Sequence, residues 1–178
     1  KANILAIYLH EELMTSDSAS KARAFLRGRG LEKEAIEKFK LGWIGNNEKS
    51  FTDFYKSKDI SKKDLQLIGF YNTNGKQFFV NRILFPIMDQ RNNVIGFGGR
   101  IVQSNGPKYL NGPETILYQK SKSLYTVPNF SESAKKENTI YIFEGYIDVI
   151  AAHIYGINTA VAPCGTALTN GHLAYLSN

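Results

Sequence analysis

The residues best suited to chemistry are two acids four positions apart in Phe143-Glu144-Gly145-Tyr146-Ile147-Asp148. A short apolar run delivers Glu144 to its end, Gly145 lets the backbone turn, and Asp148 follows about one helical turn later. If the run is a strand of a parallel sheet, both carboxylates lie at the carboxyl edge, where such sheets carry their sites. Oxygen ligands of this kind suit Mg²⁺ or Mn²⁺, and Mg²⁺ takes only one or two protein carboxylates, leaving its other positions to water and phosphate. The alternative is plainer: Glu144 is a solvated strand end and Asp148 a helix-start charge favoured by the dipole. Acids at this spacing are common, so the pair alone leaves both readings open.

A second set precedes the acids: Arg82, Arg91, Arg100, Lys108, Tyr109, Asn111, Lys120 and Lys122, set among glycines, asparagines and aromatics. Each cation alone reads as surface charge. Crowded into one span, arginine forks and lysine point charges are what phosphates and nucleotides require. The net charge of +6, from 22 basic and 16 acidic residues, agrees with nucleic-acid binding without deciding it. Other chemistries are excluded more firmly. Cys164 is the single cysteine, so it forms no intrachain disulfide and no Cys-based zinc site, and it reads as a small, partly buried apolar residue. His10, His153 and His172 lack metal spacing and take structural roles. Gly96-Phe97-Gly98-Gly99 has Ile101 where the dinucleotide fingerprint needs glycine, and reads as a tight strand bend. Gly165-Thr166 lacks the Lys-Ser/Thr tail of a phosphate loop.

These side chains need a scaffold, and the composition supplies one: 43% hydrophobic and 21% charged residues are the proportions of a globular chain with a real core. No run approaches the ~20 apolar residues of a membrane span, and residues 1–10 form no signal-peptide cleavage site, so the expected location is cytoplasmic, with no membrane. Helical patterns cover Ser20 to Leu26 and Leu31 to Phe39, with Gly42 as a stop; Phe51 to Lys56 suits a short helix, and Ser61-Lys62-Lys63-Asp64 is a capping box opening a helix through Ile68. After the turn at Asn74-Gly75, strands are expected at Phe78–Val80, Ile83–Met88 and Val94–Phe97, with a polar turn over Gln90 to Asn93. Pro86 implies an edge position or a bulge. The polar stretch Ser131 to Asn138 is the expected lobe boundary. Beyond it, Thr139–Phe143 reads as a strand and Gly145–Tyr155 as a helix burying Tyr146, Ile147, Ile150, Ala151 and Ile154. A strand at Asn158–Ala162 and a final helix capped by Thr169 or Asn170 complete an α/β pattern.

Five segments in this order and spacing resemble bacterial DnaG-type DNA primases: Arg82-Ile-Leu-Phe-Pro-Ile-Met-Asp89, Val94-Ile-Gly-Phe-Gly-Gly-Arg100, Pro107-Lys-Tyr-Leu-Asn-Gly-Pro-Glu-Thr115, Glu144-Gly-Tyr-Ile-Asp-Val149 and Gly165-Thr-Ala-Leu-Thr169. Phe25-Leu-Arg-Gly-Arg-Gly-Leu31 and Ile36-Glu-Lys-Phe-Lys-Leu-Gly42 resemble the family's opening helices. The resemblance implies an α/β chain: an α+β N-terminal basic lobe of the RNA-polymerase core over residues 1–130, then the first part of a Toprim α/β domain over 131–178. It implies a nucleotidyltransferase that joins ribonucleoside triphosphates into a short RNA primer on a single-stranded DNA template. Glu144 resembles the Toprim catalytic glutamate at the metal site, and Asp148 the second acid. Arg82, Arg100, Lys108, Tyr109, Asn111 and Lys120 match positions of the groove that takes template or nucleotide phosphates.

The family's Asp-x-Asp metal motif, its N-terminal zinc-binding domain and its C-terminal domain for the replicative helicase are not in these residues. The isolated chain is therefore expected to bind weakly and to make no primer, with zinc confined to the parent's other domain. Where the family often carries a second basic residue just before Arg82, this sequence has Phe79-Val80-Asn81. Two rivals remain: a Toprim nuclease or topoisomerase, and a non-catalytic nucleic-acid-binding module. The Arg82-to-Thr115 block argues against both.

Overall fold

Asp89 shapes the centre of the fold: its carboxylate accepts the backbone N–H groups of Arg91 (2.9 Å) and Asn93 (2.8 Å), closing the polar turn between two antiparallel strands. These are β2 (Arg82–Met88) and β3 (Val94–Ile101), which pair from Arg82↔Ile101 to Met88↔Val94 with a bulge between Ile87 and Met88. β1 (Gly42–Ile44) pairs with the start of β2, and β4 (Tyr109–Asn111) with the end of β3, giving a four-stranded antiparallel sheet in the order β1-β2-β3-β4. The computed structural model describes all residues except 104, 127–129 and 178.

Six of the seven β2 residues are buried because both faces of this sheet are covered, so the strand reads as a continuous apolar run without alternation. Ile83, Phe85 and Ile87 point to one face and Leu84 and Phe97 to the other. The second face carries α1 (Ala2–Thr15), α4 (Glu48–Ser57) and α5 (Lys62–Leu67), whose Leu5, Leu9, Phe51 and Leu65 join Phe70, Phe79 and Phe97 in one core. The first face receives α2 (Ser20–Arg27) and α3 (Lys33–Lys38) through Leu26 and Ile36, together with the second half of the chain.

That second half is built on a sheet of order β5-β7-β6: β5 (Leu124–Thr126) lies antiparallel to β7 (Ala160–Pro163), and β6 (Tyr141–Ile142) parallel to β7. α7 (Tyr146–Ile154) connects β6 to β7; α6 (Phe130–Glu137) and α8 (Asn170–Leu176) flank them. β5 precedes the polar stretch expected to separate the lobes, yet it pairs within the second sheet. The longest helix has 14 residues, and no described helix is long and apolar enough to cross a membrane.

Several local expectations are corrected. Gly42 opens β1 and does not end a helix; α3 has already stopped at Lys38, and a Cβ on Gly42 would sit 2.8 Å from that of Leu9. Phe78–Val80 forms no strand: Asn81 adopts a left-handed φ of 50°, which breaks an extended run, and Phe79 turns inward against Phe70 and Phe78. Pro86 lies on an inner strand, beside the bulge; β1 reaches only as far as Leu84, so Pro86 faces no partner on that flank.

Gly96-Phe97-Gly98-Gly99 is regular strand rather than a bend, and its glycines are seats for aromatic rings. A Cβ on Gly96 would meet the Tyr118 ring at 2.9 Å, and one on Gly98 the Tyr146 ring at 2.2 Å. On α7 the buried face is Tyr146, Val149, Ile150, Ala152 and His153; Ile147 and Ala151 are half-buried and Ile154 is exposed, so the face is rotated from the expected one. Thr169 caps α8, accepting from the His172 N–H, while His172 Nδ1 accepts from the Thr169 N–H in return.

Candidate active site

β6 runs parallel to β7, and the Phe143 N–H continues the ladder to the Val161 carbonyl at 2.8 Å, so the chain leaves the sheet at Glu144, at the carboxyl end. Glu144 is exposed there. Gly145, extended at φ −124°, is the N-cap of α7 and carries no side chain because the Asp148 carboxylate folds over it: a Cβ would lie 2.8 Å from Asp148 Oδ2. Asp148 thus sits in the first turn of α7, where the helix dipole favours a negative charge by about 0.3–1 kcal/mol. Both carboxylates open onto solvent at one edge.

β4 supplies the opposite wall. Strand alternation and the pairs Gly98↔Asn111 and Arg100↔Tyr109 place Gly98, Arg100, Tyr109 and Asn111 on one face of the first sheet. Tyr146 packs over Gly98, and its hydroxyl donates to Asn111 Oδ1. Burial raises the Tyr146 pKa well above the ordinary phenol value, so this hydroxyl is a permanent donor. Asn111 in turn holds its amide nitrogen over Gly165, where a Cβ would be 2.0 Å away; Gly165 also has φ 79°, so glycine meets both demands. Asn111 therefore ties the first sheet to α7 and to the Gly165–Thr169 segment. Between these walls lies a cleft of about 320 Å³, lined by Tyr109, Asn111, Glu144, Asp148, Pro163 and Gly165 among others.

The structure thus brings together four of the eight expected site residues, Glu144, Asp148, Tyr109 and Asn111. Arg100 stands directly behind them, 6% exposed, with Nη1 donating to the Tyr109 hydroxyl at 2.5 Å. Arg82 does not join them. Paired with Ile101, it points to the other sheet face, is also 6% exposed, and donates to the Pro107 carbonyl at 3.0 Å; burial lowers its pKa, though a guanidinium stays charged. Lys108 is exposed on the loop before β4. Lys120 lies in the 119–122 turn, its N–H donating to Glu114 at 2.9 Å and its carbonyl held by His172 Nε2 at 2.7 Å. Neither lysine lines the cleft. Sequence reasoning missed Tyr146, Pro163 and Gly165 as walls. Two lie in the recognised motifs, but their wall roles depend on pairing register.

The family model for the N-terminal domain of the DNA primase catalytic core matches residues 8–131, and that for the Toprim domain matches residues 138–177. A DNA primase of Clostridium acetobutylicum is 40% identical over 156 residues, which is 86% of this chain and 26% of that protein. The RNA polymerase domain of Mycobacterium tuberculosis primase DnaG, solved with a double-stranded DNA oligomer carrying a 6-nucleotide overhang, superposes with a TM-score of 0.90 at 33% identity, covering 98% of this chain and 56% of that one. A DnaG primase catalytic domain bound to single-stranded DNA gives a TM-score of 0.86 at 35% identity, with 98% and 56% covered. The chain spans about a quarter of the length of the curated relatives it matches. The α/β architecture agrees throughout, and the chain belongs to the DnaG-type DNA primase family.

Proposed function

We propose that the cleft is part of a metal-dependent nucleotidyl-transfer site that makes short RNA primers on single-stranded DNA. The observation that carries this reading is the meeting of Glu144 and Asp148 with Tyr109 and Asn111 across one cleft. Primases as a class use divalent metals, and the residues fit such an ion: two exposed carboxylates are the number Mg²⁺ takes from protein, and Gly145 leaves open the space over which Asp148 folds. Among the described residues no group of three or more metal-ligating side chains forms, so water and phosphate oxygens would complete the shell. When bound, Mg²⁺ or Mn²⁺ supplies charge stabilisation at the attacking oxygen and the leaving pyrophosphate.

The chain's own residues do the rest. Glu144 and Asp148 would hold the ion, with Glu144 the catalytic member. Tyr109 and Asn111 face the nucleotide, with Arg100 behind Tyr109. Lys108 and Lys120 attract the triphosphate or the template from outside the cleft, and Arg82 acts by fixing the Pro107 loop that carries Lys108. The sources of support for a DNA partner are the relatives solved with DNA.

The test is a chimera in which residues 1–178 replace the matching segment of the Clostridium acetobutylicum enzyme, incubated with template, ribonucleotides and Mg²⁺. New primers are expected, and Glu144→Gln should lower their rate by roughly a hundredfold or more, the several kcal/mol that metal-ion stabilisation supplies. Cleaved template would point to a Toprim nuclease, and a mobility shift without product to a binding module; either result overturns the proposal.

A further inference from the structure

Arg100 is a buried cation with no carboxylate. The ion pairs among the described residues are Lys1–Asp64 and Lys33–Glu37, and neither involves it. Among the described residues its buried Nε has no hydrogen-bond partner, and its one side-chain hydrogen bond goes to a neutral phenol, Tyr109. An unpaired buried charge is costly, so something else must fix it. Aromatic faces do: the guanidinium carbon lies 4.2 Å from the centre of the Phe25 ring and 4.9 Å from that of Tyr109. Phe25 also takes the Arg29 guanidinium at 5.5 Å. The result is an alternating series, Arg29, Phe25, Arg100, Tyr109, which starts in the turn just after α2, passes through Phe25 on that helix and ends in the wall of the acidic cleft.

Phe25 is an odd choice for a purely structural position. It is half-buried and packs only against the rim of the core that its neighbours Ala22 and Leu26 enter fully. A leucine would fill similar volume, but only an aromatic face attracts a guanidinium, and cation–π attraction strengthens when the cation is desolvated. Tyr109 itself is 43% exposed, and Arg100 holds it from behind.

We infer that Phe25, on a helix remote in sequence from the acids, is a positioning residue for the site: it clamps Arg100, and Arg100 aims Tyr109 into the cleft. This rests on the cleft being a nucleotide site. The consequence is that α2, whose residues do not line the cleft, sets the affinity for what enters it.

The test uses the 178-residue chain with ¹³C-labelled tyrosine and magnesium ATP as the probe. In Phe25→Leu the ring resonances of Tyr109 shift, while those of the buried Tyr118, Tyr125 and Tyr146 keep their positions. The dissociation constant for magnesium ATP rises by roughly tenfold, the scale of a desolvated cation–π contact. Phe25→Tyr restores both readouts. Unmoved Tyr109 resonances, movement of all four tyrosines together, or a loss of affinity that Phe25→Tyr does not restore would each overturn the inference, because a packing defect alone produces the last two. The underlying reading fails separately: if Tyr109→Ala binds magnesium ATP as tightly as the unsubstituted chain, the cleft is not the nucleotide site, and the inference falls with it.

Discussion

Individual atoms decide the shape of the cleft, and Gly98 shows how. Its missing Cβ is the space in which the Tyr146 ring lies, 2.2 Å from where that carbon would be, and the Tyr146 hydroxyl then reaches Asn111. Gly98→Ala should cost about 1–3 kcal/mol by overpacking, read from the midpoint of urea unfolding. It should also weaken nucleotide binding, because Tyr146 cannot move without releasing Asn111. Nucleotide affinity identical to that of the unsubstituted chain would show that the seat is structural only. Cys164 is a second single-residue case. Burial raises its thiol to about 11. At pH 8 it has almost no thiolate, so iodoacetamide should leave the native chain unmodified and label it only after unfolding. The sequence suggested only a small, partly buried apolar residue; it gave no sign that Cys164 is fully buried or that three tyrosines, 118, 125 and 146, lie around it.

Helices and strands were legible where their signals are local. The capping box at Ser61 is present as read: Ser61 Oγ accepts the Asp64 N–H at 3.1 Å, and Asp64 Oδ2 accepts the Ser61 N–H at 2.8 Å. Ser61→Ala should therefore cost about 1 kcal/mol of global stability, measured by thermal or urea unfolding. A loss beyond 3 kcal/mol would mean that α5 carries more of the fold than a cap can explain. Signals that depend on distant partners failed. Phe78 and Phe79 have the chemistry of a strand, but their rings are claimed by the aromatic core and Asn81 turns the chain away. Arg82 and Arg100 look equivalent in the sequence, yet the register Arg82↔Ile101 sends them to opposite faces, and no one-dimensional pattern carries that register. The motif series pointed to the acids and to Tyr109 and Asn111 as residues; that 109–111 is a strand, and that its pairing with β3 puts these residues in one cleft, only the structure revealed.

At the level of the whole molecule, one sheet organises two cores, and the first of them joins α2 and α3 to the second sheet. His153 stands at that junction, 8% exposed, its ring edge-on to Phe39 at 5.2 Å and its Nδ1 without a hydrogen-bond partner. Burial, and then the Lys38 ammonium, lower its pKa below the ordinary 6.5. A group whose folded pKa is depressed in this way stays neutral when folded and takes up a proton on unfolding. Its contribution is intact above pH 6.5 and is lost as the pH falls toward the folded value. Unfolding free energy should thus decline as the pH falls below about 6.5, and His153→Phe should flatten that limb while leaving stability at pH 8 little changed. An unaltered acid limb in the variant would assign the decline elsewhere.

The glycine seats have a consequence for how such a chain diverges. Gly96 with Tyr118, and Gly98 with Tyr146, are matched halves of a mould: the absence of one side chain is the imprint of another. Neither half changes profitably alone, since a larger residue at the glycine collides with the ring and a smaller residue in place of the ring leaves a void. Lineages should keep each pair intact or exchange both members together, so an alanine at position 98 should travel with a loss of the ring at position 146. The glycine run that resembles a ligand-binding loop is then the negative of its tyrosines, a record of packing more than of contact with any substrate.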